Sequence, residues 1–348
     1  MSLTEAFRFQ AEACEKLGSP FMGRLCRLFA DRLVPGGAVA DRMLSWPGDV
    51  TAGGQSLPLR IAGALHGLVL DGADTRLAAV YPPHQTGDAD LWAAVAAALA
   101  THEARLMAWL DQTPQTNEVR RSAAMLYAAA ELRGRTGLPL VISELGASAG
   151  LNLQFDRFKL ALPGREVGAA NAAVVLTPDW EGPLPPAEPV QVLSRAGVDL
   201  NPLDARDPDQ ALRLLAYLWP DQPDRLARTR AAIALVDAVP DAGDAADWLE
   251  ARLAERRPGA VHLVYHTIAW QYFPPQTQAR CRAALEAAGA RADPDAPLAH
   301  LAMEADGVPG SAELSLAVWD GLVHHGARQE LGRIDYHGRF VKISPGAR

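Results

Sequence analysis

The segment Glu144-Leu-Gly146-Ala-Ser148-Ala-Gly150-Leu-Asn152 puts a carboxyl, a hydroxyl, an amide and two glycines within nine residues. Glycines let the backbone turn sharply and approach a ligand closely. A helix starting behind them presents free N–H groups. Glu144 is placed to accept hydrogen bonds from hydroxyls or an amino group. Two acids follow downstream. Asp199, in Gly197-Val-Asp199, ends a strand-like run. An acid at the end of the second strand of an open α/β sheet can hold ribose hydroxyls. The usual gap from the glycine turn is about 20 residues. A Pro/Gly-rich insertion at about residues 155–190 accounts for the longer gap. Asp244, in Gly243-Asp244-Ala245, suits a helix cap or a contact to an adenine amino group.

The same turn also spells Gly146-x-Ser148-x-Gly150, the nucleophile elbow of serine hydrolases. His300, His324, His325 and His337 lie downstream in the order such an enzyme needs. That fold requires several strands before the elbow, whereas the N-terminal third reads mainly as helix. The ligand-turn reading is therefore favoured, with Ser148 a small residue near the ligand.

After a later strand comes His266-Thr-Ile-Ala-Trp270-Gln-Tyr272. His266 is a candidate general base, because its ordinary pKa suits proton transfer near neutrality. Tyr272 and Trp270 are candidates for lining an acceptor pocket, and a core role is the alternative. His262 and His266 share a strand face, but no third ligand is evident, so no metal is expected. Gln115-Thr-Asn117-Glu118 either starts a helix or closes over a ligand, with Arg121 meeting a carboxylate.

The elements that must position these residues divide the chain. Residues 1–136 read as a helical cap. Ser19-Pro20 starts a helix over 21–34, and Asp88 caps a long run over 91–110. Another helix runs over 117–132. Segments 59–70 and 77–81 fit helix or strand equally. From 137 the pattern alternates. Residues 138–145 are a buried strand and 148–158 a helix. Residues 162–189 form an insertion with a hairpin, and 190–200 a strand. Helices follow over 208–219, 223–239 and 244–255. A strand at 260–267, a helix at 276–288, and strands at 298–304, 313–319, 331–336 and 339–344 complete the chain. The last two meet at His337-Gly338 in a tight hairpin. This alternation predicts an α/β fold whose mostly parallel sheet has helices on both faces and a C-terminal antiparallel hairpin.

The chain has 348 residues, 49% hydrophobic and 21% charged. A net charge of −8 argues against a general nucleic-acid surface and leaves room for a local basic pocket. Cys14, Cys26 and Cys281 are too scattered for a disulfide framework and are expected to be reduced thiols. The N-terminus lacks the apolar run of a signal peptide, and no segment is apolar enough to span a membrane. A cytoplasmic protein is expected.

Glu144-x-Gly146-x-x-x-Gly150-x-Asn152, then Gly197-Val-Asp199, then Gly243-Asp244-Ala245, resembles the ordered motifs of Rossmann-like methyltransferases that use S-adenosylmethionine. The whole chain also resembles a bacterial family of unknown function built on that fold. The segments carrying this second resemblance are Gln115 to Glu118 with Arg121, the glycine turn, and residues 195–204. The resemblance implies that Glu144, Gly146 and Gly150 line the amino-acid end of the cofactor. Asp199 would hold the ribose and Asp244 the adenine, with Ser148, Asn152 and Ala245 beside them. His266 and Tyr272 would serve catalysis, and Asn117, Arg121 and Trp270 the substrate. The stretch after the fourth strand has no Asp/Asn-Pro-Pro-Tyr motif of amino methyltransferases. The cap and the insertion would shape a small-molecule acceptor site. A non-catalytic nucleoside-binding module is the further alternative.

Overall fold

The computed structural model describes residues 1–346. They form two compact units, one of residues 1–116 with 207–230 and the other of residues 117–206 with 231–346. The boundary thus falls at Thr116, not near residue 136.

The first unit is helical. Its elements are α1 (Leu3–Lys16), α2 (Pro20–Arg32), α3 (Ala38–Leu44), α4 (Leu57–Leu70), α5 (Thr75–Ala78), α6 (Asp88–Thr101) and α7 (Glu103–Leu110). The Ser19 side chain caps α2, with Pro20 at the first turn as the sequence predicts. The ambiguous segment at 59–70 is α4, buried on almost every side, so it carries no single polar face to reveal its period. The expected single helix over 91–110 breaks at His102, whose ring meets the Asp74 carboxylate at 3.1 Å. Asp88 sits inside the first turn of α6 and does not cap it. At two α4 glycines a Cβ would stand 2.6 Å from the Tyr217 ring (Gly63) and 2.8 Å from the Trp109 ring (Gly67). The Trp109 indole N–H donates to the Tyr217 hydroxyl at 3.0 Å.

In the second unit, α8 (Ser122–Thr136) follows a 3-10 turn at Val119–Arg121. Eleven consecutive residues of α8, from Ser122 to Leu132, are buried, which ties it to this unit. It ends at Gly137, whose φ of 69° suits a C-terminal glycine. Next come β1 (Leu140–Leu145), β2 (Lys159–Leu162), β3 (Arg165–Gly168), β4 (Val175–Leu176), β5 (Asp179–Glu181) and β6 (Val192–Asp199). The helices α9 (Pro208–Ala216) and α10 (Pro223–Ile233) precede β7 (Asp241–Ala242), and α9 packs on α4 in the first unit. Then come α11 (Ala245–Ala254), β8 (Val261–Thr267), α12 (Pro275–Gly289), β9 (Leu298–Glu304), β10 (Ala312–Trp319), β11 (Gln329–Ile334) and β12 (Phe340–Ile343).

Nine strands form one sheet in the order β5-β12-β11-β10-β9-β8-β1-β6-β7. Neighbours from β7 through β9 run parallel, and those from β9 through β12 antiparallel. Most of the insertion folds as a separate small sheet, β3-β2-β4, with β2–β3 its hairpin, while its β5 joins the main sheet parallel to β12. The fold is therefore α/β, with a mostly parallel sheet and the expected closing hairpin at Gly338. All residues of β1 and β8 are buried, as central parallel strands require. Leu145, Val198, Val264 and Leu298 share an apolar cluster with residues of α11 and α12. No helix among the described residues is long and apolar enough to cross a membrane. All three cysteines are buried and free.

The expected helix over 148–158 is absent. Gly146, Ser148 and Gly150 alternate in left-handed conformations, with φ of 71°, 53° and 71°. Such residues interrupt a right-handed helix. Only a 3-10 helix, Asn152–Arg157, follows. Arg195 holds its end, donating to the Leu153 carbonyl at 2.7 Å and to both Asp156 oxygens at 2.8 and 3.0 Å.

Candidate functional site

Numbered in chain order, the five parallel strands β1, β6, β7, β8 and β9 lie in the order 3-2-1-4-5. The order reverses between β1 and β8. Open α/β sheets bind ligands beyond the strands' carboxyl ends at that reversal. Both loops leaving these two strands are backbone-strained there: Ser148 has a φ of 53° and the β-branched Ile268 a φ of 52°. They also touch. A Cβ on Gly146 would stand 2.5 Å from the Ala269 Cβ.

Glu144 lies at this end of β1, 1% exposed. Burial holds its carboxyl well above the usual range, against the lowering effect of the Tyr265 hydroxyl and Arg121. The Tyr265 hydroxyl donates to Glu144 Oε2 at 3.4 Å and to the Asn152 carbonyl at 3.2 Å. Tyr265 has no motif around it, and only its register beside Glu144 marks it. Asn117 and Asn152 fix the turn. The Leu151 N–H donates to Asn117 Oδ1 at 2.7 Å, and the Ser122 hydroxyl to Asn152 Oδ1 at 2.8 Å. Asn152 Nδ2 and Ser148 Oγ are buried and have no hydrogen-bond partner. Unsatisfied polar atoms are costly when buried, so these two suit a polar ligand.

The two acids hold their own loops. Asp199 accepts from the Ser148 N–H at 2.8 Å and the Asn201 N–H at 2.9 Å. It therefore locks the glycine turn of β1 to the end of β6. Asp244 caps α11, accepting from Ala246 N–H at 2.8 Å and Asp247 N–H at 3.2 Å, while Thr277 donates to its other oxygen at 2.9 Å. Burial raises its pKa, but these bonds outweigh burial and leave it below the ordinary value. Ala245, in the first turn of α11, is buried. Arg121 donates to the carbonyls of Tyr336 and Thr267, each at 3.0 Å, so its guanidinium ties β8 to the β11–β12 turn.

His266 and Trp270 lie elsewhere. Glu144 pairs in register with Tyr265, so His266, one residue on, faces the other side of the sheet. His266 Nδ1 lies 2.6 Å from Glu304 Oε1, and its Nε2 lies 3.0 Å from His300 Nε2. The Trp270 ring stacks on it, with centroids 4.7 Å apart. His266, Trp270, His300 and Glu304 line a cavity of about 570 Å³ against α12 and β10. The structure does not bring Tyr272 to either place: it is 71% exposed on the surface. His262 is a core residue. Its ring lies 2.8 Å from the Ser143 hydroxyl, and burial lowers its pKa to about 3. No group of three His, Cys, Asp or Glu among the described residues is arranged to hold a metal ion.

Ser148 keeps one trait of a nucleophile elbow, the left-handed backbone. No base accompanies it, since its hydroxyl bonds to nothing. The structure is thus an α/β protein whose glycine turn lies at the reversal point of a parallel sheet, with Asp199 and Asp244 at the ends of the strands beside it. The chain belongs to the family DUF2332, described as uncharacterized protein conserved in bacteria, whose model matches residues 4–342. No curated protein and no solved structure matches the chain.

Proposed function

We propose that the carboxyl ends of the strands at the β1–β8 reversal bind S-adenosylmethionine or a related nucleoside, and that the protein is a Rossmann-like methyltransferase acting on a small-molecule acceptor. One observation carries this reading. The three motif segments, at Glu144–Gly150, Asp199 and Asp244, follow β1, β6 and β7, which are adjacent parallel strands. Their order along the chain is their order across the sheet, starting at the reversal point where open α/β sheets bind ligands.

On this reading Glu144 meets the ligand's amino group, and Asn152 and Ser148 supply their unused polar atoms. Gly146 and Gly150 give the turn the left-handed backbone that presents these groups. Asp199, still able to accept further bonds, faces the ribose, and the Asp244–Ala245 turn faces the base. Methyl transfer needs the acceptor held in line with the sulfonium and, for an oxygen or nitrogen acceptor, a base. Asn117 and Arg121 rigidify the acceptor side of the turn. The net charge of −8 disfavours a nucleic-acid acceptor.

Binding without transfer is the second reading. It is favoured by His266 facing away from the sheet face that bears Glu144. Incubation with methyl-labelled S-adenosylmethionine and a small-molecule extract separates the two. Label in a low-mass product supports transfer. Saturable binding with no labelled product supports the binding module. A covalent fluorophosphonate adduct lost in Ser148→Ala would favour a hydrolase over both.

A further inference from the structure

The cavity beside β8, β9 and β10 holds a hydrogen-bonded chain of three titratable groups. Glu304 Oε1 lies 2.6 Å from His266 Nδ1 and also accepts the N–H groups of Ala269 at 3.0 Å and Trp270 at 3.1 Å. Those donors suit a carboxylate, so His266 Nδ1 carries a proton. In neutral His266 the Nε2 is then an acceptor. The 3.0 Å contact to His300 Nε2 is closed by the His300 proton. This leaves His300 Nδ1 with a bare lone pair. It makes no hydrogen bond, and His300 lines the cavity. Burial and the neighbouring His266 hold His300 well below the ordinary histidine range, so it is neutral near pH 7.

The rest of the cavity says what it suits. Trp270 and Trp319 give it aromatic walls. Trp319 is wedged between Gly289 and Gly326, where a Cβ would come within 2.4 and 2.1 Å of its ring. The remaining charged or titratable lining groups are Arg282 and Glu286 from α12, with His325 and Arg328 from the stretch between β10 and β11. Arg328 is paired with Glu313, and Arg282 lies over the Trp270 ring at 5.4 Å. Arg282 and Glu286 offer opposite charges on the same helix, so the rim favours no strongly charged ligand. At about 570 Å³ the space suits a molecule of one to a few rings.

We propose that this cavity binds a small neutral aromatic molecule bearing a weakly acidic hydroxyl, and that His300 removes its proton through a Glu304–His266–His300 relay. The hydroxyl proton passes to His300 Nδ1 as its O–H bond breaks. The Nε2 proton of His300 passes to His266 Nε2. The products are a bound phenolate-type anion, a neutral His300 with its proton on Nδ1, and an imidazolium His266 against the Glu304 carboxylate. The positive charge thus rests beside a carboxylate and not on His300, whose burial disfavours it. His300 touches the ligand; His266 and Glu304 act through it as positioning residues. The cavity lies on the sheet face away from Glu144, so this proton transfer stands independently of the reading above.

The test uses the full chain and 4-nitrophenol, whose anion absorbs visible light, in buffer below the phenol's own pKa and without S-adenosylmethionine. Its failure and the failure of the S-adenosylmethionine reading are then separate results. The expected outcome is a saturable rise in phenolate absorbance, with the apparent pKa of the bound phenol lowered by about one unit, a tenfold preference for the anion. His300→Gln should still bind but lose the shift, and Glu304→Gln should reduce it. Ring-nitrogen NMR of the unmodified chain should show His266 becoming doubly protonated as ligand is added. Absence of saturable binding, bound ligand that stays neutral, a shift that survives in folded His300→Gln, or an unchanged His266 would each overturn the proposal.

Discussion

Burial shifts Glu144 toward its neutral form, yet a cationic amino group placed against it needs the carboxylate. Association with S-adenosylmethionine should therefore release a proton wherever free Glu144 is protonated. Affinity should rise with pH up to the pKa of Glu144 in the free protein and level off above it. Glu144→Gln should abolish that dependence and weaken binding by about 1.5–3 kcal/mol, roughly ten- to a hundredfold. Titrations at several pH values read both effects. Asp244 makes a different test. Asp244→Ala removes a cap and should cost about 1 kcal/mol of stability, whereas Asp244→Asn keeps the cap and should cost less. Its folded pKa is depressed, so its contribution is present above the unfolded value and is lost as pH falls through the folded one. Thermal melts of both variants check this. Glu144, Asp199 and Asp244 were legible in sequence because each stands at a glycine-marked strand end. Tyr265 and the relay partners Glu304 and His300 were not, because only strand register brings them beside Glu144 and His266.

Among elements, the strands β1, β6, β8 and β9 and the closing hairpin follow from short apolar runs bounded by turn residues. Two-residue β7 is too short to leave a pattern. The absent helix after the glycine turn is more instructive. Residues 148–158 have helical composition, but Ser148 and Gly150 adopt left-handed backbone, and Asn117 and Ser122 bind Leu151 and Asn152 from α8's approach. Tertiary bonds override local preference here. The turn therefore carries two unsatisfied polar side-chain atoms, without a full α-helix dipole behind it. Gly146→Ala tests how tightly the β1 and β8 loops meet. Its methyl would stand 2.5 Å from the Ala269 Cβ, at a φ of 71°. Left-handed strain and overpacking together should cost about 2–5 kcal/mol. A lowered melting temperature with weakened ligand binding is the expected result, and an unchanged melt would show that the loops can part freely.

At the scale of the molecule, each compact unit buries a neutral histidine. His66 in the helical unit lies 2.9 Å from the Leu218 carbonyl, and burial lowers its pKa to about 4; His262 in the sheet unit falls to about 3. The unfolded chain binds these protons first. Stability should be whole above the unfolded histidine pKa and fall as pH drops from there toward the folded values, by on the order of 3–5 kcal/mol per site. Melts between neutral pH and pH 4 should show both units losing stability. The division into units was only partly legible. The change from helical to alternating pattern marks where β1 begins, but α8 is alanine-rich like the helices before it, and its membership is decided by packing. That residues 207–230 join the helical unit leaves no composition signal. S-adenosylmethionine is proposed to bind at the β1–β8 reversal. Calorimetric titration of the full chain tests it most directly. Saturable binding well below millimolar, more than about 4 kcal/mol, is expected, strengthening with pH until Glu144 of the free protein is ionised. No saturable heat up to about millimolar ligand at any pH would contradict it.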